Sequence, residues 1–217
     1  MTRDPHPRRF SASDRALAPR QIVYEIDGAL YLNLTNRCNL SCTFCSRKEN
    51  PQVKDYNLRL PTEPTADELL EQIGDPMAYR EIVFCGFGES TLRLRALLAV
   101  ASVLKQRYPA VRIRLNTNGL AYLVHRHNIL PELAPVIDAV SVSLNAADAA
   151  SYAAICPSSY GKRAYPVVKN FIRQAKKYIP SVTASIVGLP LVDQDRCRQV
   201  AEVSLGVAFR VRAYGQL

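Results

Sequence analysis

The sequence predicts an α/β fold, an open partial (βα)6 barrel with parallel strands, preceded by a short β-hairpin strand. Three observations predict it. Apolar stretches of strand length alternate with segments of helical periodicity, which implies a parallel sheet with right-handed crossovers. Six such units are too few to close an eight-stranded barrel. The cysteines, most of the glycines and several asparagines fall just after the predicted strands, where folds of this kind bind ligands.

Residues 1–20 lack periodicity and carry Pro, Arg and Ser, so they are expected to form a disordered basic tail, with residues 21–217 as the domain. "QIVYEIDGALYLNLT" alternates apolar and polar residues around Asp27-Gly28. That dipeptide favours a type I′ turn, so a short strand leads into a first main strand over residues 29–34. Further on, "PTEPTADELLEQIG" carries a capping box, Thr65 with Glu68, ahead of a helix that Gly74 ends. "EIVFC" reads as a buried strand. "LRLRALLAVASVLKQRY" places Leu94, Leu97, Leu98, Ala101 and Leu104 on one helical face. "VRIRLN" is a strand, and "GLAYLVHRHNILPELAPVI" one or two short helices broken at Pro131. "DAVSVSL" is a strand and "AADAASYAAIC" a short helix. "YPVVKNFIRQAKKY" aligns Val167, Phe171 and Ala175 on a helix. "SVTASIVGL", "DQDRCRQVAEVSLG" and "VAFRVRAY" complete the pattern as strand, helix and strand.

A chain of 217 residues with 48% hydrophobic and 22% charged residues suits one globular domain. No apolar run approaches the ~20 residues of a membrane span. The N-terminus lacks the apolar segment of a secretory signal, so a cytoplasmic location is expected. There, clustered cysteines serve metals or catalysis rather than disulfides. The formal charge of +9 attracts anionic partners. The basic residues are scattered, however, and no basic run is interleaved with aromatics. That favours an arginine-rich soluble surface over a nucleic-acid face.

"TNRCNLSCTFCSR" puts Cys38, Cys42 and Cys45 in one loop, spaced Cys-x3-Cys-x2-Cys. Thiolates bind zinc or iron–sulfur clusters. Structural zinc wants four ligands, usually as two separated pairs. Cys85 or His125 as a fourth ligand would make this a zinc-stabilised nucleic-acid-binding module. Three thiolates with one open iron would make it a cluster, and the spacing favours the cluster. The remaining predicted strand ends carry "GFGEST", "NTNG", Asn145, "GLPLVD" and "RAYGQL". Several of these residues also have a plain structural reading. Asn118-Gly119 makes a turn, Asn145 caps the next helix, and His125 is a structural histidine at a helix end. Phe44, Cys85 and Cys197 are then core residues.

The cysteine loop after a first strand, with Phe44 just before the last cysteine, resembles the radical S-adenosylmethionine (radical SAM) superfamily. "GFGES" resembles that family's Gly-Gly-Glu motif, with Phe87 for a glycine and Ser90 for the usual Pro. "LYLNLTNRCNLSCTFCSR", "EPTADELLEQIGDP", "EIVFCGFGESTLRL", "RLNTNGLAYLVH", "VSVSLNA" and "FRVRAY" together resemble the TatD-linked (TatD-associated) subfamily, from about residue 22 to 214. The chain departs from that pattern after Cys156, where "CPSSYGK" lacks the expected Arg and has Lys162 for an acidic residue. It departs again at Arg126, where the pattern has Gly. Both departures fall near the expected substrate mouth.

The resemblance implies a [4Fe-4S] cluster, with three irons on Cys38, Cys42 and Cys45 and the fourth chelated by the amino and carboxylate groups of S-adenosylmethionine. A one-electron donor such as a flavodoxin or ferredoxin would drive reductive cleavage to a 5′-deoxyadenosyl radical, which abstracts hydrogen from a small-molecule substrate. Gly86, Phe87, Gly88 and Glu89 would present backbone groups to the methionine amino group, glycine allowing close approach. Ser143 and Asn145 suit ribose hydroxyls or the methionine carboxylate, and Asn116 and Asn118 compete for that work. Phe44, Val187 and the backbone near Tyr214 would flank adenine. Cys156 is either a packing residue or a hydrogen donor to a substrate radical. Rival enzymatic readings are a queuine-lyase-like enzyme acting on a 7-deazapurine base and a glycyl-radical-activase-like enzyme acting on a partner protein.

Overall fold

The computed structural model describes residues 20–45 and 52–213. Asp27 and Gly28 take φ values of 50° and 73°, the two positive angles a type I′ turn requires. They join β1 (Val23–Ile26) to β2 (Ala29–Leu32) as an antiparallel pair. A two-residue hairpin follows, β3 (Gln52–Val53) and β4 (Tyr56–Asn57). From β2 onward the main strands are parallel: β5 (Ile82–Phe84), β6 (Ile113–Thr117), β7 (Ala139–Ser143), β8 (Ser181–Val187) and β9 (Ala208–Arg212). Their spatial order follows the chain, β1-β2-β5-β6-β7-β8-β9, and the two edges do not pair. The sheet is therefore an open partial barrel of six parallel strands, as expected.

The helices are α1 (Ala66–Ile73), α2 (Leu94–Arg107), α3 (Ala121–His125), α4 (Leu130–Leu133), α5 (Ala149–Ile155), α6 (Ala164–Ala175) and α7 (Gln194–Gln199). The predicted capping box starts α1, with Thr65 Oγ1 accepting from Glu68 N and Glu68 Oε2 accepting from Thr65 N. α7 continues into a π-helical turn, Val200–Ser204. None of the described helices is long and apolar enough to cross a membrane.

Side-chain alternation along each strand gives the sheet two unlike faces. Leu30, Leu32, Ile82, Phe84, Ile113, Leu115, Val140, Val142, Ala184 and Ile186 join the helices in the main core. The opposite, inner face is polar across its middle. Glu81 there meets Arg114 at 3.0 Å, and Ser141 donates to Ser185 at 3.5 Å. Burial works to raise the Glu81 carboxyl, but the hydrogen bonds and charge of Arg114, with Arg80 and Arg112 nearby, outweigh it and leave the pKa lowered. At the β1 end the inner face is covered by a second apolar cluster of Tyr24, Val53, Leu58 and Phe87, with Tyr31 and Tyr56 packed on it. The Tyr24 ring stacks on Tyr31 at 5.1 Å.

Three expectations change. The first main strand stops at Leu32: Asn33 makes one last rung to the opposite Ile22, and beyond it the Leu34 carbonyl accepts from Arg93 instead of a sheet partner. Pro131 does not break the helical stretch. It sits in the first turn of α4, where its missing N–H costs nothing, and the break falls at Arg126, in a left-handed conformation at φ 62°. Arg20, counted with the tail, is tied to Glu68 of α1 at 2.7 Å. The rest of the tail lies outside the described residues.

Candidate functional site

The loop after β2 carries the three cysteines, and its backbone is fixed from two sides. The Ser41 amide donates to Pro157 O at 2.8 Å and the Thr43 amide to Ile155 O at 2.9 Å, so the loop lies against the end of α5. On the other side it meets the "GFGES" loop after β5. Gly88 N donates to Thr35 O at 2.9 Å and Glu89 N to Arg37 O at 2.8 Å. The two glycines are required by this seam rather than by an open approach for a ligand. A Cβ at Gly86 would lie 2.1 Å from Asn33 Oδ1, and one at Gly88 would lie 2.3 Å from Arg37 O.

Glu89 is buried and binds the loop after β5 to the loop after β6. Its Oε1 accepts from Thr91 Oγ1 at 2.7 Å and Thr117 Oγ1 at 2.8 Å, and its Oε2 from the Asn118 amide at 2.7 Å. Burial pushes its carboxyl pKa up, and these hydrogen bonds oppose the shift without cancelling it. Asn118 does make the predicted turn, its Oδ1 accepting from Leu120 N. It also reaches the cysteine loop, since Nδ2 donates to Asn39 Oδ1 at 2.6 Å and lies 3.9 Å from Cys38 Sγ.

Cys42 faces the fourth unit. It is hydrogen-bonded to the buried Cys156, and this contact, helped by Asn145 and Arg212, draws the Cys156 thiol below its usual pKa against the effect of burial. Asn145 donates to Cys156 Sγ at 3.4 Å. It is buried, sits at φ 56°, and does not cap the following helix; Asp148 does. Backbone strain of this kind in a non-glycine residue gathers at ligand sites. Arg212, at the end of β9, donates through Nη2 to Ser143 Oγ at 3.4 Å and Asn145 Oδ1 at 3.5 Å.

Other expected residues lie elsewhere. Phe87 turns into the second apolar cluster, so only its backbone faces the first loop. Asn116 lies below the rim, where its Oδ1 accepts from Arg114 Nη1 at 2.6 Å. Phe44 is half-buried against the main core. Val187 is buried at the end of β8, in register with Arg212. His125 Nε2 lies 2.8 Å from the Thr91 carbonyl, a structural role at the end of α3. Cys197 is buried, which pushes its thiol up to about 11. Cys85 is half-buried rather than core, and Tyr214 lies outside the described residues.

Among the described residues, no three His, Cys, Asp or Glu side chains converge as ligands of a single metal ion. The donor set suits a cluster by its chemistry, since three cysteines in one loop supply the thiolates that iron–sulfur clusters take. A second observation agrees. Of the four enclosed side-chain polar atoms without a partner among the described residues, three lie around this loop: Asn39 Nδ2, Tyr152 OH and Arg212 Nε. Tyr152 is within electrostatic reach of Cys156, Cys42 and Cys38, and after burial these are what raise its pKa most. Orphaned hydrogen-bond donors beside the thiols suit electron-rich, anionic groups. Reading the sequence had missed these residues, yet two left a signal. Arg210 and Arg212 alternate onto one face of "VAFRVR", and Tyr152 lies four residues before Cys156 on one helix.

Residues 32–202 match the family model of the Radical SAM superfamily, and the chain belongs to that superfamily of enzymes. Over 134 residues, 58% of the chain, it is 35% identical to a GTP 3′,8-cyclase of Corynebacterium glutamicum strain R. The chain spans about a third of the length of the curated relatives it matches, 33% in that case. A radical SAM methyltransferase from Sphaerobacter thermophilus shares the fold with a TM-score of 0.62 and 18% identity, over 88% of this chain and 57% of that one. Streptococcus suis SuiB, solved bound to its precursor peptide SuiA, gives 0.60 at 13% identity, over 89% of this chain and 41% of that one. SuiB has also been solved bound to S-adenosylmethionine, in a form giving 0.58. At such identities these likenesses speak for the fold alone.

Proposed function

We propose that this chain is a radical SAM enzyme that acts on a small molecule and draws its electron from a flavodoxin- or ferredoxin-like donor. The observation that carries the reading is the seam of backbone hydrogen bonds holding the three-cysteine loop against "GFGES" on one side and the end of α5 on the other. A [4Fe-4S] cluster held at that loop with S-adenosylmethionine would supply one-electron reductive cleavage of the cosubstrate and, from it, hydrogen-atom abstraction.

The chain's own residues do the rest. Cys38, Cys42 and Cys45 hold iron. The carbonyls of the loop after β5, rather than its amides, serve the methionine amino group, since an amine whose lone pair is on iron can still donate its N–H and the Gly88 and Glu89 amides already donate to the first loop. Glu89 fixes the loops after β5 and β6 as one unit. Ser143 and Asn145 bind hydroxyl or carboxylate oxygens, and Val187 offers an apolar wall. Cys156 is reserved as a hydrogen donor close to Cys42. Within the superfamily, the motif string from residue 22 to 214 supports the TatD-linked subfamily. The relative named GTP 3′,8-cyclase makes a guanine nucleotide the first substrate to assay.

The test is anaerobic reconstitution with iron and sulfide, followed by chromatography. With dithionite the protein forms 5′-deoxyadenosine slowly even without substrate. A protein carrying full iron and sulfide that neither binds nor cleaves S-adenosylmethionine refutes the reading. A colourless protein with one zinc favours the nucleic-acid module.

A further inference from the structure

The inner face of the sheet is electrostatically uneven. On β5 and β6 the one buried carboxylate, Glu81, is matched by Arg114 at 3.0 Å. On β9 two guanidiniums follow each other on that same face, since Arg210 is in register with Ser185 and Arg212 with Val187. Neither has an ion-pair partner among the described residues. Arg212 reaches only two neutral oxygens, at 3.4 and 3.5 Å, and its Nε is enclosed with no acceptor at all. Burial lowers its pKa and the neighbouring charge of Arg210 acts in the same direction, while the thiols of Cys85, Cys42 and Cys156 oppose them. A half-buried cation beside a like charge, with an unused donor, gains by pairing with an anion. β9 is also the free edge of the open barrel, and Arg210 is exposed there. An anion entering along that edge meets Arg210 first and Arg212 next, beside Ser143, Asn145 and Cys156.

We infer that Arg212 and Arg210 form a receptor on the inner face of β9 for an oxyanion, a phosphate or carboxylate group, carried by the substrate of the enzyme proposed above. Guanidinium suits both ions, because its planar donors pair with two oxygens at once. The receptor places the anionic end of the substrate toward the open edge and its reacting end toward the cysteine loop.

The test titrates the reconstituted protein with inorganic phosphate, with succinate and, separately, with S-adenosylmethionine, following heat of binding and thermal shift. The expected result is that Arg212→Gln weakens binding of the preferred anion about tenfold and Arg210→Gln about threefold, whereas Arg212→Lys, which keeps the charge but not the paired donors, falls between wild type and Arg212→Gln. Preference for phosphate marks a phosphorylated substrate, and preference for succinate marks a carboxylated one. Equal anion binding in wild type and both Gln variants overturns the inference. So does an Arg212→Gln variant that loses more affinity for S-adenosylmethionine than for either anion, because the guanidinium then serves the cosubstrate's own carboxylate. Circular dichroism of each variant separates these results from misfolding. Failure of the enzyme reading shows independently, as absence of 5′-deoxyadenosine from the wild-type protein.

Discussion

Replacing Gly88 by alanine would place a methyl group 2.3 Å from the Arg37 carbonyl oxygen and 2.4 Å from that of Thr35. Both obstacles are backbone, so no side chain can swing aside and the two loops must part. Two hydrogen bonds stand in the gap, Gly88 N to Thr35 O and Glu89 N to Arg37 O, at 2.9 and 2.8 Å. Losing both costs about 2 kcal/mol, and residual overlap adds about 1–3 kcal/mol, for a total near 3–5 kcal/mol. In a domain of this size that lowers Tm by roughly 6–20 °C. The assay pairs a melting curve with iron and sulfide analysis after reconstitution, because the displaced segment runs straight into Cys38. Gly74→Ala is the control. It also meets a conformational penalty, at φ 63° and ψ −126°, but has open space around it. It should cost about 1–3 kcal/mol and leave iron content unchanged. A Gly88→Ala protein that melts within about 2 °C of wild type and holds full iron would refute the claim that the seam positions the cysteine loop.

Four further outcomes are expected. Cys42→Ala lowers bound iron and abolishes S-adenosylmethionine cleavage, while Cys85→Ala leaves iron unchanged at a packing cost of about 1 kcal/mol; a Cys85→Ala protein stripped of metal would restore the four-ligand reading. Asn145→Gly weakens S-adenosylmethionine binding by roughly 1–3 kcal/mol in calorimetry without the stability loss of Asn145→Ala, because glycine tolerates the 56° φ. The Glu81 carboxyl is held below its usual 4.5, so the folded state binds fewer protons than the unfolded state in that window; its stabilisation is complete above 4.5 and drains away as pH falls through the folded value, and Glu81→Gln should flatten the acid limb of a pH–stability curve. Deleting residues 1–19 while keeping Arg20 and its pair with Glu68 should leave the melting curve and cosubstrate cleavage intact.

The elements most legible in the sequence were those whose signal is local. Asp27-Gly28 dictated its turn through backbone conformation, Thr65 and Glu68 announced α1, and the strand–helix alternation carried the parallel order. The β3–β4 hairpin was invisible because two-residue strands leave no alternation to read, and with it went the fate of Phe87, whose burial depends on Tyr24, Val53 and Leu58 from other segments. The site divides the same way. Three close cysteines announce a thiolate site by spacing, and the choice of a cluster over zinc comes from the resemblance to a family. That Arg212 crosses β8 to reach Ser143 and Asn145 depends on register between strands about 67–69 residues apart, and no single segment records it. Gly86 and Gly88 were read as making room for a ligand. The room they make is for the protein's own first loop.

The bonds from Ser41 and Thr43 to the end of α5 set a timetable for biosynthesis. Thr43 and Ile155 are 112 residues apart. At roughly 5–20 residues per second, a ribosome makes the cysteines about 6–22 s before the carbonyls that position them. During that interval the three thiols are on the nascent chain without half of their scaffold. Iron delivered then would meet a ligand set not yet in place, so the schedule of cluster insertion is tied to the emergence of α5.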